Sequence, residues 1–254
     1  MLSGEERRED IVSLIHANGR VRVTELAEKY GVSEVSIRKD LEHLEMQGQL
    51  SRVHGGAVGV GKMYVGMDLA ERYRTNSVSK KRLAERIASL IDDNDTIIMN
   101  SGTTLSYVIR ALAGKKNITI VTNSVQNASE ASLTSSFGVI MLGGEFESKY
   151  QFTYGESAER QLENYHAAKC ILSVDGISAD AGLTLFYSTE VSLVRRMIES
   201  SGEVIVAADS TKIGRQAFAK ITDISSAGTI VTNSDADPEE TERLSALGVR
   251  VLRA

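Results

Sequence analysis

The chain has 254 residues, 42% hydrophobic and 25% charged, with a net charge of −5. That length suggests about two domains, and the composition is that of a globular protein able to bury a core. No apolar run reaches the roughly 18 residues of a membrane span. The charged start at residues 1–8 lacks the apolar stretch of a secretory leader, and Cys170, the one cysteine, excludes an internal disulfide, so a cytoplasmic protein with no membrane partner is expected. The acidic balance argues against indiscriminate nucleic-acid binding, so any DNA contact must come from local placement of charge.

Residues 1–58 read as three helices and a hairpin. Ile11, Leu14 and Ile15 stand at helical spacing and predict a first helix over 5–18, ended by Gly19. Thr24 is placed to cap a short second helix over 25–30, with Leu26, Ala27 and Tyr30 inward, and Gly31 makes the turn. Ser33 caps a third helix over 34–47, whose inner face is read as Val35, Ile37, Leu41 and Leu44, and Gly48 stops it. Runs at 50–53 and 57–58 flank a tight His54-Gly55-Gly56 turn. This order predicts a winged helix-turn-helix whose third helix enters the major groove. The donors available to DNA are then Ser33, Ser36, Arg38 and Lys39 on that helix, with Arg52 and His54 on the wing. Arg38 also has Glu34 and Glu42 at helical pairing distance.

Residues 59–77, with Gly59, Gly61 and Gly66, read as a linker. Residues 56–62 fit the first seven positions of a phosphate-binding P-loop, but Met63 stands where Ser or Thr must hold Mg²⁺, so nucleotide hydrolysis is not expected.

From residue 78 to 254 the texture changes. A helix is predicted over 78–91 on Leu83, Ile87, Leu90 and Ile91. Strand-like runs follow at 96–99, 118–122, 139–142, 170–174, 204–207, 229–231 and 249–252. Helical stretches lie between most of them, at 103–112, 125–135, 158–165, 191–200 and 239–247. The alternation predicts an α/β domain with a mostly parallel sheet. Five of the strand ends are polar: Asn100 to Thr104, Thr122-Asn123-Ser124, Leu142-Gly143-Gly144, Val174-Asp175-Gly176 and Ala208 to Lys212. They point to a ligand pocket at the carboxyl edge of the sheet. In the first, an apolar strand runs into small hydroxyl residues that open a helix, which suits an anion. No Cys, His and carboxylate set has metal-ligand spacing, so neither a metal nor a cofactor is expected, and Cys170 is read as a buried, inert thiol.

The ordered string Val32-Ser33, Ile37-Arg38-Lys39-Asp40-Leu41, Leu44-Glu45 and His54-Gly55-Gly56-Ala57 closely resembles the DeoR/GlpR family of transcription repressors. Ser36 stands where Thr is common, and Lys39, which loses bidentate readout, where Arg is common. The resemblance covers nearly the whole chain. It implies a C-terminal fold similar to ribose-5-phosphate isomerase and glucosamine-6-phosphate deaminase, with no enzyme activity. It also implies operator DNA and a sugar-phosphate effector as partners, and reading of paired half-sites by a homo-oligomer, dimer or tetramer. Carried over by motif, Ser101, Gly102, Thr103 and Thr104 hold the phosphate and Lys212 adds a point charge, while Asp175, Asn123 and Glu190 meet sugar hydroxyls. Gly143 and Gly144 allow close backbone approach, and Asn100 replaces the Asp often found before this turn. Asp175, Glu190 and Lys212 are also acid–base-capable, which keeps an active isomerase or deaminase open as an alternative, as it keeps activation open beside repression.

Overall fold

A computed structural model describes residues 3–18, 20–46, 50–53, 55–59 and 67–254. The chain divides into two compact units, Met1–Met67 and Asp68–Ala254. In the first unit, three helices, α1 (Gly4–Asn18), α2 (Val23–Tyr30) and α3 (Glu34–Met46), pack with a three-stranded antiparallel sheet of β1 (Arg20–Arg22), β2 (Leu50–Val53) and β3 (Gly56–Gly59), in which β3 is central. Ile11, Ile15, Leu26, Ile37, Leu41, Leu44 and Leu50 form its core. Gly31 closes the turn after α2 at φ +64°, where its N–H reaches the carbonyls of Ala27 and Glu28.

Three features depart from the sequence reading. β1 was not expected, because Arg20-Val21-Arg22 is too short and too charged to show strand alternation, and it exists only by pairing with β3. With β1 in place, α2 begins at Val23, Arg22 stands at the cap position without a side-chain bond, and Thr24 lies inside the helix instead of capping it. Val35, read as inward, is 60% exposed. Ile37, Leu41 and Leu44 fill the inward stripe of α3, and a residue two positions from Ile37 lies about 200° around the helix from it.

In the second unit a seven-stranded parallel sheet has the order β15-β14-β12-β9-β4-β5-β6. Its strands are β4 (Thr96–Met99), β5 (Thr119–Thr122), β6 (Gly138–Met141), β9 (Ala167–Ser173), β12 (Ser201–Ala207), β14 (Thr229–Thr232) and β15 (Arg250–Arg253), close to the seven runs expected. Side chains alternate between two cores. Ile97, Met99, Ile120, Ile171 and Ile205 pack with α5 (Ser77–Ala88) and α6 (Thr103–Ala111). Ile98, Val121, Cys170, Leu172 and Val206 pack with α8 (Glu156–Leu162), α9 (Val191–Glu199) and α10 (Pro238–Ala246). A further helix, α7 (Val125–Ser132), follows β5.

Five short strands were not expected: β7 (Glu145–Glu147) paired with β8 (Phe152–Tyr154), and β10 (Gly176–Ser178), β11 (Gly182–Leu185) and β13 (Ala219–Thr222) in a small antiparallel sheet. Each has three or four residues and lies outside the main sheet. Part of the stretch read as linker also folds: α4 (Leu69–Arg74) is capped by Asp68, whose carboxylate accepts the Glu71 N–H at 2.7 Å. It lies on α6, with the Tyr73 and Tyr107 rings 5.5 Å apart. Six residues are too few to show an apolar period.

The strand order reverses at β4. The chain leaves β4 toward β5 and β6, and returns to place β9 on its other side. The carboxyl ends of β4 and β9 therefore border the crevice where such sheets bind ligands.

Within the first unit, Asp40 ties α3 to α1. It is buried and accepts from Arg7 Nε at 2.6 Å and Arg8 Nη1 at 3.4 Å. Asp40→Ala removes the acceptor and leaves the mostly buried Arg7 without it, so the first unit is expected to lose roughly 1–3 kcal/mol in chemical denaturation. Glu42→Ala, at an exposed position of the same helix, serves as control, and equal stabilities for the two variants would refute the assignment.

Candidate functional sites

Asn100 follows β4 at the switch point of the sheet and is buried. Its Nδ2 donates to the Ser173 carbonyl at 2.9 Å, and its Oδ1 accepts the Ser173 N–H at 2.8 Å, which joins the ends of β4 and β9. Asn127 Nδ2 in turn donates to the Asn100 carbonyl at 3.0 Å. An ionised Asp could accept here but not donate, so Asn serves both sides. Gly102 then adopts φ +143°, and a Cβ on it would stand 2.6 Å from Ser173 Cβ. Only glycine passes so close while turning the chain into α6.

Glu190 ends a short 3-10 helix, Ser188–Glu190, and is buried beneath this turn. Its carboxylate accepts from Ser101 N at 3.3 Å, Ser101 Oγ at 3.1 Å and Asn123 Nδ2 at 3.0 Å. Burial pushes its carboxyl above the usual range, the three donors pull against that, and Asp175 adds a small push upward. Asn123 also donates to the Thr153 carbonyl at 2.9 Å, while its Oδ1 is a buried acceptor without a partner.

One buried cation meets the first residue of α6, and two more lie in its electrostatic field. Lys80, on α5, is fully buried; its Nζ donates to the carbonyls of Arg72 at 2.6 Å and Thr75 at 2.8 Å, and to Thr103 Oγ1 at 3.1 Å. Desolvation lowers its pKa to about 8, and the field of Asp209 opposes that shift. Lys212 is also buried, in a 3-10 helix, Ser210–Lys212, with its Nζ 3.8 Å from Asp175 Oδ1. Desolvation lowers its pKa too, against Asp175 and Asp209. Arg72 lies within electrostatic reach of both lysines, and its guanidinium stacks 4.3 Å from the centre of the Tyr150 ring. Asp175 is fixed by accepting the Phe186 N–H at 2.9 Å.

Of the residues expected from sequence, Ser101, Asn123 and Glu190 are thus joined by direct bonds, Asp175 and Lys212 form a pair, and Thr103 and Thr104 are buried in the first turn of α6. Gly143 and Gly144 meet other partners. Gly143 N–H donates to Gln161 Oε1 at 3.0 Å, and a Cβ on Gly144 would stand 2.4 Å from the Tyr154 carbonyl. They serve the packing of β8 and α8. Lys80 and Arg72 were missed. A signal for Lys80 existed, since it precedes Leu83, Ala84 and Ile87 on one helical stripe, all of them buried. Cys170 is buried, and burial pushes its thiol up to about 12, which suits an inert residue.

On the first unit, Ser33 caps α3 by accepting the Ser36 N–H at 3.2 Å. Ser33, Arg38 and Lys39 are exposed and Ser36 half-buried, and the exposed Val35 joins them. Arg38 pairs with Glu34 at 2.6 Å and Arg52 with Glu45 at 2.7 Å, both on the surface. His54 lies outside the described residues.

A winged helix-turn-helix and an α/β unit with a cation-rich crevice define a DNA-binding regulator that carries a ligand-sensing domain. Residues 7–62 match the DeoR-like helix-turn-helix domain and residues 75–234 the DeoR C terminal sensor domain. The chain belongs to the DeoR family of transcriptional regulators. It is 35% identical over 246 residues to the uncharacterized HTH-type transcriptional regulator YulB of Bacillus subtilis (strain 168), covering 97% of this chain and 95% of that one. It is 32% identical over 233 residues to the glycerol-3-phosphate regulon repressor of Escherichia coli (strain K12), covering 92% and 91%. With the putative aga operon transcriptional repressor of Escherichia coli O157:H7 it shares 31% identity over 249 residues, covering 97% and 93%. Among solved structures, ribose 5 phosphate isomerase A from Neisseria gonorrhoeae aligns with TM-score 0.40 at 18% identity over 52% of each chain. Among the described residues no helix is long and apolar enough to cross a membrane.

The lowered pKa of Lys80 has a measurable consequence. Between about 8 and the ordinary 10.5 the unfolded chain binds a proton that the folded chain lacks, so stability rises with pH across that window. Urea denaturation of the wild type should show a slope steeper than that of Lys80→Met by up to about 1.4 kcal/mol per pH unit. Parallel slopes would show that Lys80 is not desolvated. Lys212 is shifted in the same direction and lies in the field of Lys80, so Lys212→Met is measured in parallel to separate its share of the slope.

Proposed function

We propose that this chain represses a carbohydrate-catabolism operon and leaves its operator when a phosphorylated sugar occupies the crevice between β4 and β9. The observation that carries the reading is the buried Lys80 ammonium on Thr103 Oγ1 at the strand-to-helix turn of the switch point, with Lys212 and Arg72 in its electrostatic field. The first-turn N–H groups of α6 and the hydroxyls of Thr103 and Thr104 supply donors of the kind a phosphate needs, and the lysines supply its counter-charge. Asp175 and the unpaired Asn123 Oδ1 suit sugar hydroxyls. A relative named for a glycerol-3-phosphate regulon supports a phosphorylated small-molecule ligand.

Binding without turnover fits the state of Glu190, whose two carboxylate oxygens are both engaged by Ser101 and Asn123. The protein acts in the cytoplasm as a dimer or tetramer, since helix-turn-helix proteins read paired half-sites. On the DNA side, the exposed pair of Arg38 with Glu34 is weak enough to open, which frees the guanidinium for a guanine edge, and Val35 offers an apolar surface for a thymine methyl.

In gel-shift titrations Arg38→Ala should weaken operator binding by about 1–3 kcal/mol and relax preference at one base pair. Binding of the parent should weaken steeply with salt. Unchanged preference in the variant and a flat salt response would remove α3 from the interface.

The induction experiment pairs a panel of sugar phosphates with the matching free sugars. A phosphorylated member should release the operator, and its free sugar should not. Thr103→Val with Lys212→Ala should keep operator binding and lose release. Induction of the double variant at parental ligand concentrations would place the ligand elsewhere, and turnover of aldose or ketose phosphates by the pure protein would instead favour an isomerase.

A further inference from the structure

We propose that Lys80 is the latch that carries ligand occupancy to α4, the first helix of the second unit: its ammonium binds α4 and the α6 turn together, and a phosphate at that turn draws it away from α4. The proposal rests on the reading of the crevice as a phosphate site.

The bond count makes the two arrangements exclusive. An ammonium has three N–H donors. Those of Lys80 go to the Arg72 carbonyl, the Thr75 carbonyl and Thr103 Oγ1. Two of the three acceptors therefore belong to the C-terminal turn of α4, and the third to the residue that opens α6. A new bond to a phosphate oxygen requires giving up at least one of them. None of the three acceptors carries a charge, so the buried ammonium is paired only with neutral oxygens. A phosphate dianion beside Thr103 is the stronger partner, since charge-assisted bonds are about twice as strong as neutral ones. The lowered pKa of Lys80 agrees with a cation short of counter-charge.

The helix that the latch holds is suited to pass the change on. The carbonyl that Lys80 binds most closely is that of Arg72, whose own guanidinium lies in the field of Lys80 and Lys212. α4 has a second hold on α6, where Tyr107 Oη donates to the Tyr73 carbonyl at 3.0 Å. Release of Lys80 takes its bond from the Thr75 carbonyl and weakens the hold on that of Arg72, which still accepts from the Thr103 hydroxyl at 3.5 Å, while the Tyr107 bond to Tyr73 keeps α4 on α6. In chain order α4 is the first element after the DNA-binding unit. A ligand that favours the released arrangement shifts that equilibrium only by its differential affinity, and Lys80 supplies the differential contact.

The test is hydrogen–deuterium exchange of the full-length protein with inorganic phosphate as the probe, against chloride at matched ionic strength. In the wild type, phosphate should slow exchange at residues 101–105 and speed it several-fold at residues 72–76. In Lys80→Met, residues 72–76 should exchange fast from the start and gain nothing from phosphate. A purely structural lysine would loosen α4 when replaced but would leave no phosphate response in the wild type to lose. Slowing at 101–105 with no change at 72–76 in the wild type overturns the latch and leaves the phosphate site standing. An equal response in wild type and Lys80→Met overturns the role of Lys80. No change at either segment overturns the phosphate site and the latch with it. The wild-type arm decides even if Lys80→Met does not fold.

Discussion

Both ends of the Asn100 amide bond to the backbone of Ser173, and this pair of bonds closes the one place in the sheet where two neighbouring strands send their chains apart. Parallel strands hold each other along their length, but at a switch point the ladder ends and the following segments diverge. The Asn100 clamp lets the Gly102 backbone pass against Ser173, and that approach sets where the first turn of α6 points. Burial of Glu190 follows, because its three donors all come from the segments that leave β4 and β5. A residue unable both to donate and to accept at position 100 would loosen the turn, the helix N-terminus and the acid below it together.

The buried charges around the switch point are electrostatically costly. Lys80, Lys212 and Glu190 are all buried and all shifted toward neutrality by desolvation. Asp175 offsets part of the cost for Lys212 at 3.8 Å, and Lys80 has only neutral acceptors. Burying charges lowers stability where their partners only partly offset desolvation, and an anionic ligand of the kind proposed would return part of that free energy as affinity.

Much of this architecture was legible in the sequence because its signals are local. Each strand of the parallel sheet carries an apolar run, and each helix between them has a stripe or a cap of its own. β1 and β13 escaped because pairing with a distant segment creates them, β7, β8, β10 and β11 because strands of three or four residues show no clear alternation, and α4 because six residues cannot display a period. Val35 was misplaced because an apolar residue beside a true core stripe was counted into it, although its angle on the helix was available. The polar strand ends marked the carboxyl edge of the sheet, but not which contacts each residue there makes. That Ser101 faces Glu190, that Asn100 joins two strands, and that Gly143 and Gly144 serve β8 and α8 all depend on contacts across the fold. Lys80 is the instructive miss: its stripe was readable, but a lysine in a Ser-Lys-Lys-Arg run is conventionally given to solvent.

The acidic charge of the chain and its DNA-reading face are reconciled by the ion pairs on that face. Arg38 with Glu34, and Arg52 with Glu45, sit on the surface, where such pairs contribute little and are screened by salt. Each carboxylate competes with a phosphate for the same guanidinium. A contact with the backbone alone must displace the glutamate for little net gain, and the glutamate then repels the phosphates nearby. A guanine edge offers two acceptors in the geometry of the fork, without a full negative charge beside Glu34. If these arginines meet DNA as proposed, the paired acids would weaken non-specific binding more than specific binding, and selectivity would rest on weak pairs that open rather than on an excess of positive charge.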